Sequence, residues 1–326
     1  MTRPADRKPR LGLFLALLIL AAAGCGLTVQ ILPSGRVPSP TDRDKFIKVG
    51  QVNFHYTEYS GPGQKVVLIH GFASSTYTWE EVAPLLNQKG CHVLALDMKG
   101  FGWSDKPLGA RYDPITLMEE VNQWLEALNL REVVLAGNSL GGAVAWLMAL
   151  EHPDKVSRLV LVDAAGYPKE KPFIVKLAGM PLAGSLAKLF FGPWMVRRNL
   201  SQVMHDQSRV TPPRVQAYFD RLRTEGGLEA QIAVSRALDA KAFESYIKRI
   251  PEIKVPTLLL WGREDKWIPL ETIGLRFQRE LTNSTLAVLP GCGHIPQEEQ
   301  PEKTSALILD FIEGRPIPDY RPPAKP

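Results

Sequence analysis

Residues 132–142, Glu-Val-Val-Leu-Ala-Gly-Asn-Ser-Leu-Gly-Gly, decide the fold of this chain. The apolar run at its start predicts a strand, and the residues that follow Ser139, through position 150, predict a helix. A strand that turns sharply into a helix around a serine holds that serine in a strained backbone conformation. Side chains at positions 137 and 141 would collide in such a turn, so both are glycine. The turn exposes the serine hydroxyl at a helix N-terminus, where developing negative charge is stabilised.

An acid and a histidine follow this serine in the order that a nucleophilic serine requires. Residues 255–262 predict a buried strand, and Asp265 comes directly after it. Residues 284–289 predict another strand, and the glycine-rich loop beyond it ends at His294. Because the carboxyl ends of parallel strands meet at one edge of a sheet, we expect Ser139, Asp265 and His294 to converge there. In this constellation His294 is the general base and Asp265 orients it.

Two backbone N–H groups are candidates for an oxyanion hole. Residues 65–69 predict a strand that leads into His70-Gly71-Phe72, where one donor belongs. The other donor is Leu140, the residue after the serine. The candidates are therefore the N–H groups of Phe72 and Leu140. Loss of one such donor costs about 3 kcal/mol of transition-state stabilisation.

The motifs together resemble the α/β-hydrolase superfamily, in its single-domain form with a helical cap. The matching segments are residues 70–72, 97–104, 137–142, 261–265 and 291–294. The resemblance implies an α/β fold with a mostly parallel, doubly wound sheet, an inserted helical cap, and an esterase-like or lipase-like serine hydrolase. It implies no cofactor. A serine at position 139 argues against the epoxide hydrolases and haloalkane dehalogenases of the superfamily, which carry a carboxylate there.

Other residues compete for the roles in this site. Glu264 is adjacent to Asp265 but points elsewhere if Asp265 points inward, and Asp163 ends a predicted strand at a position that some superfamily members use for the acid. The order of serine, acid and histidine along the chain favours Asp265 as the acid. Cys292 lies two residues before His294, but Ser139 already occupies the sharp turn. No Cys/His cluster of the sequence has metal-ligand spacing, so no metal is expected.

The remaining histidines are not expected to be catalytic. His70 is predicted to be structural, and His55, His92 and His205 have no catalytic context. Asp97 is predicted to structure a loop.

Alternating strand and helix patterns predict the domain organisation. Residues 45–165 and 252–314 are predicted to form the α/β core. Residues 166–251 lack a strand pattern and are predicted to form the helical cap. Residues 25–44 predict a Pro-rich tether, and residues 315–326, with five prolines, a disordered tail. An entry hairpin is predicted over residues 45–59. The strands predicted after it are 65–70, 91–97, 132–138, 157–163, 256–262 and 284–290. The predicted core helices are 77–89, 115–129, 140–151, 270–281 and 300–313.

The N-terminus predicts a membrane tether. Residues 1–10 are basic and residues 11–23 apolar, as in a secretory signal. Ala22-Ala23-Gly24-Cys25 resembles the lipobox of bacterial lipoproteins, which makes Cys25 a lipidation candidate, although Ala22 departs from the larger aliphatic residue of that pattern. Alternatively, residues 11–32 are long enough to span a bilayer as an uncleaved anchor. Residues 1–24 are thus a signal peptide or an anchor, and both readings tether the protein to a membrane outside the cytoplasm.

Charge argues against a nucleic-acid partner. The formal net charge is +5, but residues 1–24 contain four basic side chains and one acidic side chain. The rest of the chain is close to neutral, and it lacks a basic stripe interleaved with aromatic residues.

Three functions fit these features. The first is hydrolysis of a small or medium apolar acyl ester, with lipid fragments among the candidate substrates, through an acyl-enzyme on Ser139. The second is hydrolysis of a carbon–carbon bond in ring-fission products by the same triad, since Gly-Asn-Ser-x-Gly-Gly resembles those hydrolases. This reaction needs cations for substrate carboxylates, for which Arg197, Arg198 and Arg209 are candidates. The third is a catalytically idle binding lipoprotein.

Overall fold

The computed structural model describes residues 29–168, 191–238 and 244–322. The predicted signal peptide or anchor and the lipidation candidate Cys25 lie outside these ranges, as does much of the first half of the predicted cap. Within the described ranges, no helix has both the length and the apolar character needed to cross a membrane.

An eight-stranded sheet forms the centre of the molecule. The strands are β1 (Asp44–Val49), β2 (Val52–Tyr59), β3 (Lys65–Ile69), β4 (His92–Leu96), β5 (Val133–Asn138), β6 (Val156–Val162), β7 (Thr257–Gly262) and β8 (Ser284–Leu289). Their order in the sheet is β1-β2-β4-β3-β5-β6-β7-β8. β2 pairs antiparallel with β1 and β4, and the other neighbours pair parallel. The mostly parallel sheet predicted from the sequence is confirmed.

Both faces of the sheet are buried at the inner strands β3, β4, β5 and β7, which explains why these strands are mostly apolar. In β3, Val66 and Leu68 belong to the apolar core on one face, and Val67 and Ile69 to the core on the other. All four side chains are fully buried. Successive side chains of a strand point to opposite faces, so an apolar residue is needed at every position.

Helices cover both faces and also form a separate group between β6 and β7. In chain order they are α1 (Val82–Gln88), α2 (Pro114–Ala127), α3 (Leu140–Glu151), α4 (Pro193–Val203), α5 (Pro212–Leu222), α6 (Gly227–Ala237), α7 (Glu244–Ile247), α8 (Leu275–Glu280), α9 (Pro296–Glu299) and α10 (Pro301–Glu313). Helices α4 to α7 lie in the segment that was predicted to be the cap. A 3₁₀ turn over Thr76–Trp79 precedes α1, so the helix predicted from residue 77 becomes α-helical only at Val82.

The described part of the predicted tether contacts the folded domain. Leu32 pairs with Thr224, and its N–H donates to the carbonyl of Arg223 at 3.0 Å. The N–H of Gly35 donates to the carbonyl of Trp103 at 2.9 Å. Residues 32–35 are therefore held by backbone hydrogen bonds and do not behave as a free spacer.

The predicted disorder of residues 315–326 is wrong for the segment around Tyr320. The N–H of Tyr320 donates to the carbonyl of Leu286 at 2.7 Å, and the N–H of Leu286 donates to the Asp319 carboxylate at 2.9 Å. Leu286 belongs to β8, the edge strand, whose outer backbone groups lack a strand partner. The tail supplies those hydrogen bonds, which its proline-rich composition does not reveal.

Candidate active site

Ser139 lies in a strained turn between β5 and α3. Its φ and ψ are 55° and −116°, a conformation that non-glycine residues rarely adopt. A Cβ added to Gly137 would lie 2.2 Å from the carbonyl oxygen of Gly141, and one added to Gly141 would lie 2.3 Å from that of Ile69. The N–H of Ser139 also donates to the carbonyl of Val162 at 3.0 Å. Tight packing against β3 and β6 therefore holds the strain in place.

His294 and Asp265 form a buried pair at the same edge of the sheet. The Nδ1 atom of His294 lies 2.7 Å from Oδ2 of Asp265. The other oxygen, Oδ1, accepts the N–H groups of Trp267 at 2.7 Å and Ile268 at 3.0 Å. Because an ionised carboxylate can only accept, the proton of the neutral imidazole is on Nδ1, and Nε2 is left to exchange a proton.

Ser139 and His294 line one cavity, and Asp265 lies behind His294. The cavity measures about 40 Å³. Its other lining residues are Gly71, Phe72, Ala73, Ser74, Asn138, Asn199, Leu200, Val203, Tyr218, Trp267 and Ile295. The structure thus brings the three predicted triad residues together at the carboxyl edge of the sheet. Their roles in catalysis remain a prediction.

The segment with the first predicted oxyanion donor is shaped by His70. This ring is fully buried, its Nε2 accepts the N–H of Met98 at 3.2 Å, and its Nδ1 therefore donates to the carbonyl of Gly71 at 2.7 Å. Because the peptide between Gly71 and Phe72 is planar and trans, fixing its carbonyl turns the N–H of Phe72 to the opposite side. Burial lowers the pKa of His70, which suits a neutral structural ring.

The second predicted donor, Leu140, is the first residue of α3. The first N–H groups of a helix have no acceptor within the helix. The N–H of Leu140 is consequently placed beside Ser139, at the end of α3 where the helix dipole favours negative charge.

The residues that compete with the triad have other partners in the structure. Glu264 accepts the N–H of Cys292 at 2.9 Å, and Asp163 accepts the N–H of Gly262 at 3.0 Å. The thiol of Cys292 is fully buried, and burial together with nearby carboxylates raises its pKa far above the ordinary range. This thiol therefore stays protonated and is a poor nucleophile.

Two polar side chains hold the loop of His294, and this role was not predicted from the sequence. Nδ2 of Asn138 donates to the carbonyls of Val162 and His294, both at 3.1 Å. The carboxylate of Glu299 accepts the N–H groups of Gly293 and His205, both at 2.8 Å. Asn138 belongs to the Gly-Asn-Ser-x-Gly-Gly motif, but the motif does not reveal these contacts, since the partners of both residues are backbone groups, most of them distant in sequence.

A buried polar cluster connects α5 to the wall of the cavity. Tyr218 donates its hydroxyl proton to Glu298 and accepts a hydrogen bond from Ser74 at 3.2 Å. Glu298 also accepts from Thr78 at 2.6 Å, and Nε of Arg214 lies 2.9 Å from its other oxygen. Burial raises the pKa of Glu298 to about 7, although the charge of Arg214 opposes this shift. The cluster was not expected from the sequence.

The three arginines considered for substrate carboxylates do not line this cavity. Arg209 donates to Glu81 and to the carbonyl of Glu298, and Arg197 donates to the carbonyl of Val210 at 3.2 Å. Arg198 is exposed on α4. Among the described residues that line the cavity, none carries a positive charge.

Comparisons with known proteins place this architecture in a family. The model of the alpha/beta hydrolase fold family matches residues 65–301. An uncharacterized hydrolase, YugF, of Bacillus subtilis is 34% identical over 267 residues, which cover 81% of this chain and 96% of that protein. A 2-hydroxy-6-oxononadienedioate/2-hydroxy-6-oxononatrienedioate hydrolase of Paraburkholderia xenovorans is 29% identical, with 82% of this chain and 94% of that protein covered.

Among solved structures, a membrane phospholipase A described as a novel bacterial virulence factor is 30% identical, with a TM-score of 0.64. The similarity covers 94% of this chain and 98% of that protein.

Proposed function

The chain belongs to the alpha/beta hydrolase fold family and is a hydrolase, and we propose that it cleaves carboxylic esters with small or medium apolar acyl groups. The acyl group is carried on Ser139, with His294 as the general base and Asp265 as the acid that orients it. The observation that carries this proposal is the cavity itself, in which a strained serine and a carboxylate-bound histidine face an apolar wall without a cation among its described residues.

The reaction proceeds in two halves. Oγ of Ser139 attacks the ester carbonyl carbon as Nε2 of His294 takes the hydroxyl proton, and the N–H groups of Phe72 and Leu140 stabilise the oxyanion. Collapse breaks the ester bond, and His294 returns the proton to the departing alcohol oxygen. A water then attacks the acyl-enzyme with the same proton transfers, which releases the acid and restores Ser139.

The lining of the cavity favours an uncharged acyl group. Leu200, Val203, Trp267 and Ile295 supply apolar surface, and Ser74 and Tyr218 supply a polar wall. An uncharged acyl group is therefore expected to bind here more readily than a charged one.

Carbon–carbon hydrolysis is the second candidate. It is supported by the relative of Paraburkholderia xenovorans, which is named a 2-hydroxy-6-oxononadienedioate/2-hydroxy-6-oxononatrienedioate hydrolase. A substrate with two carboxylates needs cationic partners, which buried sites for anions ordinarily provide. Arg209, one of the arginines considered for this task, is already paired with Glu81 at 2.6 Å. Ester hydrolysis needs no such partner, so we place it first.

We also propose that the N-terminal segment tethers the enzyme to a membrane outside the cytoplasm, either through a lipid on Cys25 or as an uncleaved anchor. Residues 1–10 are basic and residues 11–23 apolar, which supports this proposal. The similarity to the membrane phospholipase A extends over 94% of the chain, against 82% for the Paraburkholderia hydrolase. Membrane-associated esters are then accessible substrates.

A matched pair of substrates tests the choice between the two reactions. We expect measurable kcat/KM on chromogenic esters, highest for short and medium acyl chains, and loss of that activity in Ser139→Ala. The protein should be inactive on a dienoic ring-fission product. Turnover of the dienoic substrate without turnover of any ester would replace the ester proposal by carbon–carbon hydrolysis.

A further inference from the structure

We propose that Asp163 is a positioning residue of this site, which holds a proton and donates it in a hydrogen bond to Asp265. The acid of the triad would then be a pair of carboxyl groups with a single negative charge. This inference rests on the triad of the proposed function, and it assigns a task to a carboxyl group that the mechanism above does not use.

The two carboxyl groups are brought together by neighbouring parallel strands. Asp163 follows β6 and Asp265 follows β7, and the N–H of Asp163 donates to the carbonyl of Leu260 at 3.0 Å. The two carboxyl groups are close enough for the charge of Asp265 to act directly on Asp163. One oxygen of each and one nitrogen of His294 all lie within 4.8 Å of one another.

Burial prevents both carboxyl groups from being ionised. Asp163 is 0% exposed and Asp265 5% exposed. Two carboxylates in contact away from water repel each other strongly, so the pair retains a proton. A hydrogen bond between two carboxyl groups also requires a proton, because carboxylates only accept.

The hydrogen bonds from the surrounding backbone decide which residue holds the proton. Asp265 accepts two backbone N–H groups and the ring of His294. Asp163 accepts the N–H of Gly262 alone, at 3.0 Å to Oδ1 and 3.4 Å to Oδ2. More donors stabilise the ionised form, so the charge lies on Asp265 and the proton on Asp163.

The other titratable groups near Asp163 act in the same direction. Burial raises the pKa of Asp163 well above its ordinary value, and the charges of Asp265 and Glu299 raise it further. Cys292 also faces Asp163, with a thiol that stays protonated. Nδ1 of His294 contacts Asp265 at 2.7 Å, so the charge of His294 during turnover is balanced first by Asp265.

Asp163 would affect catalysis through the orientation and the basicity of the Asp265 carboxylate. A donor on Asp163 fixes the orientation of the Asp265 carboxylate and makes it less basic. The imidazolium of His294 is then stabilised by one negative charge and not by two, which keeps the ring able to return its proton to the leaving group.

Infrared difference spectroscopy of the folded full-length chain tests the protonation directly and needs no turnover. At about pH 7, the wild type minus Asp163→Asn should show the carbonyl band of a protonated carboxylic acid. Asp154→Asn is the matched control, because Asp154 is 63% exposed and should contribute only carboxylate bands. Loss of carboxylate bands alone in Asp163→Asn would overturn the inference.

The pH–rate profile on a chromogenic ester tests the positioning role. In Asp163→Asn the amide can still donate to Asp265 and accept from Gly262, so the midpoint of the acidic limb should move by less than about half a unit. Asp163→Ala removes the donor, so kcat should fall about tenfold or more and the midpoint should rise.

A fall of the midpoint by about one unit or more in Asp163→Asn would mean that a negative charge was lost and would overturn the inference. A chain that hydrolyses no ester but shows the carboxylic-acid band would refute the proposed function and leave the protonation of Asp163 supported.

Discussion

Two buried Asp–His pairs can be compared among the described residues, and one of them lines the cavity that contains Ser139. The Nδ1 atom of His55 lies 2.7 Å from Asp97, and that of His294 lies 2.7 Å from Asp265. The first pair joins β2 to the end of β4, and the second joins the loops that follow β7 and β8. Equal distances therefore do not distinguish a structural pair from a candidate catalytic pair.

The second nitrogen of each ring makes the difference. Nε2 of His55 contacts Asp44 at 2.9 Å, so both nitrogens of that ring are occupied by carboxylates. The ring of His294 instead lines the cavity that contains Ser139. A histidine between two carboxylates is held as a cation, whereas a histidine with one carboxylate and one open nitrogen can exchange protons.

The charges of the His55 pair fit a structural role. Burial disfavours the imidazolium, yet the charges of Asp97 and Asp44 raise the pKa of His55 above its ordinary value. Burial likewise opposes ionisation of Asp44, but hydrogen bonds from His55 and Thr41 hold its pKa at about 2. Asp97 also accepts the N–H groups of Thr76 and Trp103 and so structures the loops around it, as expected from the sequence.

The largest expected effect separates the two histidines by activity. His294→Ala removes the base and should lower kcat on a chromogenic ester by about 10⁵-fold or more. His55→Gln, the matched change at the other pair, should leave most of the activity in the fraction that is folded. Steady-state kinetics on both variants measures the contrast, and similar losses in the two would break the comparison.

A smaller effect separates them by stability. His55→Gln removes the cation between the fully buried carboxylate of Asp97 and the partly buried carboxylate of Asp44, and should lower the free energy of unfolding by about 3 kcal/mol. The difference from the wild type should be largest between about pH 4 and 6.5, because the ordinary pKa is 3.8 for the carboxyl group of Asp44 and 6.5 for the ring of His55.

The pKa shifts determine how the stability that His55 and Asp44 contribute changes on each side of this pH range. The raised pKa of His55 contributes stability below 6.5 that is lost as the pH rises through the folded value. The lowered pKa of Asp44 contributes stability above 3.8 that is lost as the pH falls through about 2. Urea denaturation across this range checks both limbs, and a difference that does not vary with pH would contradict the charged assignment of His55.

The sequence predicted the sheet and the position of the triad because both depend on local patterns. Ser139, Asp265 and His294 each follow a buried strand, and parallel strands bring those positions to one edge. The pairing of His55 with Asp97 was not foreseen, since the two residues are 42 positions apart and share no motif. The contact of Asp163 with Asp265 likewise depends on which strands are neighbours.

The cap and the tail show where composition misleads. Tyr218 reaches Glu298 only because α5 packs over the core, and no periodicity of α5 reveals this contact. Five prolines after residue 314 suggested disorder, but the free edge of β8 offers backbone groups that Asp319 and Tyr320 satisfy. Such contacts depend on which backbone groups the fold leaves unpaired.

Mass spectrometry after reaction with a fluorophosphonate probe tests the central claim most directly. In the wild type, one covalent adduct is expected on the peptide that contains Ser139. Labelling should be strongly reduced in His294→Ala and retained in His55→Gln. A folded wild-type protein without an adduct, or with the adduct on another residue, would contradict the claim that Ser139 is an activated nucleophile.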